Sequence, residues 1–319
     1  MAADRRGEAG GDSARAGGVG AAERMKQILI TGASGQVGTA LARHHWPEGW
    51  QPVALTRADL DLLDPQAIAA KVAERPWAAV INAAAYTAVD RAESEPVLAW
   101  QVNALAPAAL AAACQAGDIP LVHVSTDYVF DGSRDGAWEP DDPTGPLGTY
   151  GASKLGGELA VRTGAPRHAI VRTAWVVSET GANFIKTMLR LGAERPTLRV
   201  VADQHGSPTA AADLAGALAT IAMRMADAPN APSGTWHYAN AGATTWHGFA
   251  TEIFAQSASR GGPSPSVEPI TTADFPTPAR RPGNSLLSTA TLTRDWGIVP
   301  RAWPQALGPI LDALIGPIP

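Results

Sequence analysis

Cysteine is almost missing from this 319-residue chain: Cys114 stands alone, so no internal disulfide can form. That absence fits a reducing cytoplasm, the expected location. Cys114 lies in an Ala-rich run over 108–114 that reads as a buried helix, where a thiol packs as a small hydrophobe. Long apolar runs are also missing. No segment approaches the ~18 uninterrupted apolar residues of a membrane span, so no membrane partner is expected. There is no excess of positive charge either. A formal net charge of −5 gives no reason to expect nucleic acid or an anionic membrane surface, and any anionic ligand needs a local site. The seven histidines offer no ligand set: His44 and His45 are adjacent and cannot share a helix face, and His205, His237 and His247 sit on loop-like or mixed segments. Residues 1–24 lack both a signal-peptide core and hydrophobic periodicity, so they read as a disordered extension, with Met25 an alternative start. No internal repeat is present.

What is there begins directly after Met25. Short apolar runs at Gln27–Thr31, Val53–Thr56, Ala78–Ala83, Leu121–Ser125 and Ala169–Thr173 alternate with helix-length stretches. Continuous apolar strands between helices imply a parallel sheet covered on both faces, an α/β doubly wound Rossmann-type fold. This predicts a dinucleotide-binding domain over 25–173. Residues 174–319 read mainly as a smaller mixed α/β substrate-binding domain, some of whose elements return to the main sheet. Within it, helices are predicted over 183–191 and 211–225 and a strand over 198–201. The proline-rich stretches 263–269 and 276–282 read as loops.

The first strand runs into Gly32-Ala33-Ser34-Gly35-Gln36-Val37-Gly38, and a helix follows at Thr39–Arg43. A tight turn, close approach of backbone to a pyrophosphate, and close helix–strand packing each exclude a side chain. The helix N-terminus then offers unpaired N–H groups and a positive dipole end to phosphate. Three glycines alone are a weak signal, but the strand–turn–helix setting makes Gly32, Gly35, Gln36, Val37 and Gly38 a dinucleotide site. The second strand ends at Thr56-Arg57 with no acid before Asp59. An acid there favours NAD, whereas an arginine accommodates the 2′-phosphate of NADP, so Thr56 and Arg57 favour NADPH and leave NADH open. Asp61 and Leu62 are placed against the adenine. Ala83, Ala84, Ala85 and Tyr86, at the carboxyl end of the third strand, let a flat cofactor approach the backbone.

Tyr150 and Lys154 are four residues apart, on one face of a helix. A neighbouring ammonium favours the phenolate and brings the phenol's proton within reach of catalysis, while the same lysine holds the nicotinamide ribose. Thr126, just past the fourth strand, supplies a second donor for a carbonyl oxygen becoming an alkoxide. Glycine turn, strand-end threonine and YxxxK helix, in that order, resemble the short-chain dehydrogenase/reductase class.

Longer motifs narrow the resemblance. Asn82–Glu93, Ser125–Gly132, Arg172–Trp175, Asn183–Leu189, Asp203–Thr209 and Arg281–Ser285 are similar to the dTDP-4-dehydrorhamnose reductase family, and the likeness covers nearly all of 25–319. It implies dTDP-rhamnose biosynthesis: NADPH-dependent reduction of the 4-keto group of dTDP-4-dehydro-β-L-rhamnose, a dTDP-linked 4-keto-6-deoxy sugar. Tyr150 would protonate the nascent alkoxide, with Lys154 and Thr126 in support. Substrate-binding positions implied are Thr126, Asp127, Tyr128, Trp175, Gln204, Arg281 and Asn284, with Trp175 on the hexose or in the core. Sugar-nucleotide 4,6-dehydratases carry Thr-Asp-Glu where this chain has Thr126-Asp127-Tyr128, which argues against elimination. The alternatives are another sugar-nucleotide epimerase or reductase, or a non-catalytic subunit resembling the methionine adenosyltransferase β subunit. In the family a first-helix glutamate is associated with Mg2+ at a dimer contact. Ala40 stands there, which puts Mg2+ in doubt and leaves monomer or homodimer open.

Overall fold

The computed structural model describes residues 25–318, so the extension expected over 1–24 lies outside the described residues. Six parallel strands form the main sheet: β1 (Lys26–Thr31), β2 (Trp50–Leu55), β3 (Ala79–Asn82), β4 (Leu121–Thr126), β5 (His168–Thr173) and, from much later in the chain, Gly234–His237. Residues along β1 alternate in the face they cover. Ile28 and Ile30 join one core with Val122 and Val171, whereas Leu29 joins the other with Val80 and Ile170. Both faces are therefore buried, which is why the strands read as unbroken apolar runs.

Helices α1 (Gln36–Arg43) and α2 (Pro65–Ala73) follow β1 and β2 and lie on opposite faces. After β3 come the short α3 (Val89–Ala92) and α4 (Pro96–Trp100), a π-turn at Gln101–Leu105, α5 (Ala106–Ala116) and then β4. The run Pro96–Ala116 is long and apolar enough to span a membrane by length and composition. Here it is a core helix: Leu110, Ala111 and Cys114 pack with Ile68 of α2 and with Val161. Cys114 is fully buried, and desolvation pushes its thiol up to about 12, so it is inert at neutral pH. Between β4 and β5 runs α6 (Thr149–Gly164), the helix carrying Tyr150 and Lys154.

Beyond β5 the chain makes β6 (Val176–Val177), α7 (Phe184–Glu194), β7 (Thr197–Val201), β8 (His205–Gly206), β9 (Thr209–Ala210) and α8 (Ala211–Asp227). Helix α8 lies under the main sheet, with Leu214, Leu218 and Ile221 in the same core as Leu41 of α1. Gly234–His237 is β10, which pairs in parallel with β5. It is followed by β11 (Thr244–Thr245), α9 (Trp246–Ala258), β12 (Ser266–Ile270), α10 (Ala290–Trp296) and α11 (Trp303–Leu314). A separate core forms from α7, α9 and α11 with Leu198 and Val200 of β7.

One expectation fails. The stretch 263–269 is not all loop: β12 pairs in parallel with β7 from Ser266↔Thr197 to Ile270↔Val201. The prolines there mislead because a two-stranded ribbon has only edges, and Pro269, which lacks an N–H to donate, is tolerated where that position faces the free edge. The main sheet runs β10-β5-β4-β3-β1-β2, so the chain reverses direction between β1 and β3. The carboxyl ends at that switch point are where open α/β sheets bind ligands.

Candidate active site

A cavity of about 940 Å3 opens at the switch point, lined by the glycine turn, the ends of β2, β3 and β4, the first turns of α6, and Trp175–Val176. Its cofactor end is shaped by backbone. Gly32 has φ +79°, and a Cβ on it would lie 2.7 Å from the backbone nitrogen of Ala84. Gly35 is the N-cap residue of α1, no side chain caps the helix, and a Cβ there would meet nothing nearer than 3.4 Å. The turn thus brings uncapped N–H groups to the cavity wall with no side chain between, a cradle for a pyrophosphate. Gly38 is different. It does not line the cavity, and its role is to let α1 pack on the turn.

Gln36 braces the turn against the far side of the cleft. Its Nε2 donates to the Val176 carbonyl at 3.3 Å, and its Oε1 accepts from Ser178 Oγ at 2.9 Å and Asn183 Nδ2 at 3.0 Å. At the end of β2, Asp59 accepts from the Thr56 N–H at 2.9 Å and hydroxyl at 2.6 Å, which hold its carboxyl below the ordinary range. The acid nearest Thr56 is therefore committed to the turn. Arg57 lines the cleft, exposed and in no ion pair among the described residues. Asp61, Leu62 and Ala83–Tyr86 line it too. Behind the alanines, Asn82 links three strand ends: its Oδ1 accepts from Thr31 Oγ1 at 2.6 Å, and its Nδ2 lies 3.0 Å from His123 Nδ1.

At the floor, Thr126, Tyr150 and Lys154 come together. Thr126 Oγ1 donates to Asp127 Oδ1 at 3.0 Å and accepts from the Tyr128 N–H at 3.2 Å. Lys154 Nζ donates to the Val124 carbonyl at 2.7 Å, tying α6 to β4. Burial raises the Tyr150 phenol, and its hydrogen bond with Thr126 acts the other way. Burial pushes Lys154 down to about 8. Sequence reasoning expects the lysine to draw the phenol down. In the structure burial dominates, and Tyr150 is a protonated donor throughout the neutral range. Asp127 is buried, and desolvation pushes its carboxyl up to about 6 against the Ser285 and Thr126 hydroxyls, which favour the ionised form. Tyr128 packs edge-to-face on Tyr150 at 5.4 Å and is pushed up to about 12.

Three contacts around the floor are not readable from the motifs. Glu93 caps the catalytic helix, accepting from the Thr149 N–H at 2.8 Å and hydroxyl at 3.1 Å. Asn103, on the π-turn, accepts from the Tyr86 N–H at 2.8 Å and donates to the Tyr86 carbonyl and Ser153 Oγ. Trp246 stacks on Trp175 at 3.7 Å. Glu93 closes the Asn82–Glu93 motif and Asn103 is a polar residue in an apolar helical run, but neither position shows its partner; Trp246 carries no such signal.

Of the residues implied for the substrate, Thr126, Asp127, Tyr128 and Trp175 line the cleft. Trp175 sits at φ +50° with its ring between the cavity and Trp246, so it is both wall and core. Gln204, Arg281 and Asn284 are not brought into the lining. Gln204 Nε2 donates to Thr272 Oγ1 at 3.0 Å. Asn284 Nδ2 donates to the carbonyls of Arg134 and Gly136 at 2.7 and 2.6 Å, making it a loop staple. Arg281 pairs with Asp90 at 2.7 Å, clasping the loop after β12 to α3. Each thus has a partner outside the cleft, although Arg281 keeps its Nη1 buried and unpartnered among the described residues. Among the described residues no group of three or more His, Cys, Asp or Glu is arranged to hold a metal ion.

The family described as RmlD substrate binding domain matches residues 25–315. A dTDP-4-dehydrorhamnose reductase of Burkholderia thailandensis is 46% identical over 290 residues, covering 88% of this chain and 97% of the relative. One of Salmonella typhimurium is 42% identical, covering 86% and 94%. Among solved structures, a dTDP-4-dehydrorhamnose reductase of Bacillus anthracis in complex with NADP has a TM-score of 0.83 at 35% identity, covering 89% of this chain and 98% of its own. A dTDP-glucose 4,6-dehydratase of Streptomyces venezuelae shares the fold, with a TM-score of 0.73 at 19% identity over 90% and 96%.

Proposed function

The chain belongs to the dTDP-4-dehydrorhamnose reductase family, and from that premise we propose that it reduces the 4-keto group of dTDP-4-dehydro-β-L-rhamnose with NADPH. The observation that carries this reading is one cleft in which an uncapped glycine turn leads to two hydroxyls and a buried lysine. When bound, NADPH supplies the hydride. The glycine turn holds the pyrophosphate, and Arg57 takes the 2′-phosphate. Lys154 holds the ribose. The Thr126 and Tyr150 hydroxyls share the substrate's carbonyl oxygen, and Tyr150 gives its proton to that oxygen as it becomes an alkoxide. Asp127, which lines the cleft, lies against the sugar, and the Trp175 indole covers an apolar sugar face.

Elimination is disfavoured by Tyr128. A dehydratase needs a carboxylate base at this position, and a phenol pushed up to about 12 does not ionise near neutrality.

The test is loss of NADPH absorbance on addition of the dTDP-linked keto sugar, with the UDP-linked sugar and NADH in parallel. Turnover with the dTDP sugar and NADPH is expected, and its absence sinks the proposal. Arg57→Ala tests the cofactor choice. It is expected to raise KM for NADPH about 10- to 100-fold, the worth of hydrogen bonds to a charged group, and to leave KM for NADH unchanged. A preference for NADPH that survives the substitution assigns the 2′-phosphate elsewhere.

A further inference from the structure

We propose that Glu158 is a positioning residue of this site: its carboxylate sets a buried negative charge one helical turn from Lys154 and ties the strand end bearing Thr126 to the helix bearing Tyr150. The proposal rests on the reductase reading for its catalytic consequence, but not for the state of Lys154.

Glu158 sits one turn after Lys154 on α6, at 0% exposure. Its Oε1 accepts from Ser125 Oγ at 2.6 Å and Arg172 Nε at 2.8 Å, and its Oε2 accepts from Arg172 Nη2 at 2.7 Å. Arg172, on β5 and 2% exposed, also donates to the Pro140 carbonyl at 3.0 Å. Ser125 lies between Val124, whose carbonyl holds Lys154, and Thr126. One carboxylate thus reaches all three elements that shape the floor: β4, β5 and α6.

Stability does not explain such a pair. Desolvating two ions costs about what their attraction returns, and an apolar pair of similar volume is often as stable or more so. The carboxylate has a second neighbour that does explain it. Lys154 is 2% exposed, and desolvation works against its charged form. The charged and titratable groups facing it divide clearly. From β4, His123 is fully buried, far below its ordinary value, and neutral. On α6, Tyr150 stays protonated. From β5, Arg172 is paired with the Glu158 carboxylate itself, and Arg162, one turn further along α6, stands 3.7 Å from that carboxylate. After β4, Asp127 is turned to Thr126 and Tyr150. Glu158 is the group that favours the ammonium against burial. Lys154 holds its charge below about 8 and loses it as pH rises through that value, so removing the carboxylate moves the loss to lower pH.

The chain has four lysines, Lys26, Lys71, Lys154 and Lys186, so lysine enriched in carbon-13 at Cε gives a countable spectrum, in which Lys154→Met assigns the resonance of interest. In the protein without cofactor or substrate, Lys154 is expected to titrate near pH 8 in wild type. In Glu158→Gln its midpoint falls by about one unit or more, roughly tenfold less ammonium at a given pH above it. Glu158→Asp, which keeps the charge but shortens the tie, keeps the wild-type midpoint. Should Arg172, left unpaired, unfold Glu158→Gln, the double variant Glu158→Gln/Arg172→Met removes both charges and is expected to shift in the same direction. In turnover, the alkaline limb of kcat/KM moves with the resonance, and Glu158→Asp restores it. An unchanged Lys154 midpoint in the foldable variants, or an activity loss of equal size at every pH, overturns the proposal. A failed reductase assay beside an intact shift would sink only the functional reading.

Discussion

Replacing Tyr150 by phenylalanine is expected to lower kcat by ~10^2–10^4-fold, the usual worth of a positioned proton donor, with NADPH affinity little changed. The ring keeps its packing against Tyr128 at 5.4 Å, so only the hydroxyl is lost. Burial holds the phenol above its ordinary value, which would cripple a base but suits an acid. An alkoxide formed at the sugar's carbonyl carbon is a far stronger base than a phenolate, so the proton passes downhill from Tyr150 to it. The direction of the shift therefore agrees with reduction and not with a base-first reaction. Thr126→Val should cost less, because it removes one of two donors to the same oxygen and leaves the proton source in place. Steady-state kinetics with a separate NADPH titration check both. A Tyr150→Phe enzyme turning over at the wild-type rate would remove Tyr150 from the mechanism, and a parallel loss of cofactor binding would make its role structural.

The parts of this site legible in the sequence are those whose meaning is local. The glycine turn follows directly on its strand, Tyr150 and Lys154 share one helix face, and Thr126 ends a strand recognisable by its unbroken apolar run. The supporting residues are not local. Glu158 meets Ser125 across 33 positions and Arg172 across 14, and Glu93 meets Thr149 across 56. No periodicity predicts such pairs, because each depends on which strands become neighbours. What else the sequence hides has the same origin. Gln204 and Asn284 sit in family motifs, and their amides donate to Thr272 and to the carbonyls of Arg134 and Gly136; Arg281 pairs with Asp90 and keeps a buried Nη1 unpartnered among the described residues. Pro269, which helps make 263–269 read as loop, is tolerated in a strand because β12 keeps a free edge on the side away from β7.

The glycine turn shows how far one position's chemistry can be read from space alone. Gly38→Ala is expected to weaken NADPH binding at least ~100-fold and to destabilise the protein by about 1–3 kcal/mol, the range for overpacking a fitted interior. A Cβ at Gly38 would stand 2.0 Å from the Gly32 carbonyl oxygen, 2.5 Å from its carbon and 2.9 Å from the Ala33 Cα. All three are backbone, so no side chain can swing aside. Either α1 moves off the sheet or the turn opens, and both displace the N–H groups that face the pyrophosphate. Gly35→Ala is the control, since its Cβ would meet nothing nearer than 3.4 Å. Its stability should therefore stay near wild type, and any loss of affinity would come from a methyl standing in the cleft. Thermal unfolding and fluorescence titration with NADPH separate the two. If Gly38→Ala melts and binds as wild type does, the packing of helix on turn does not set the cradle. If Gly35→Ala alone loses affinity, the limiting factor is clearance for the phosphates, which lies at the second glycine of the turn and not the third.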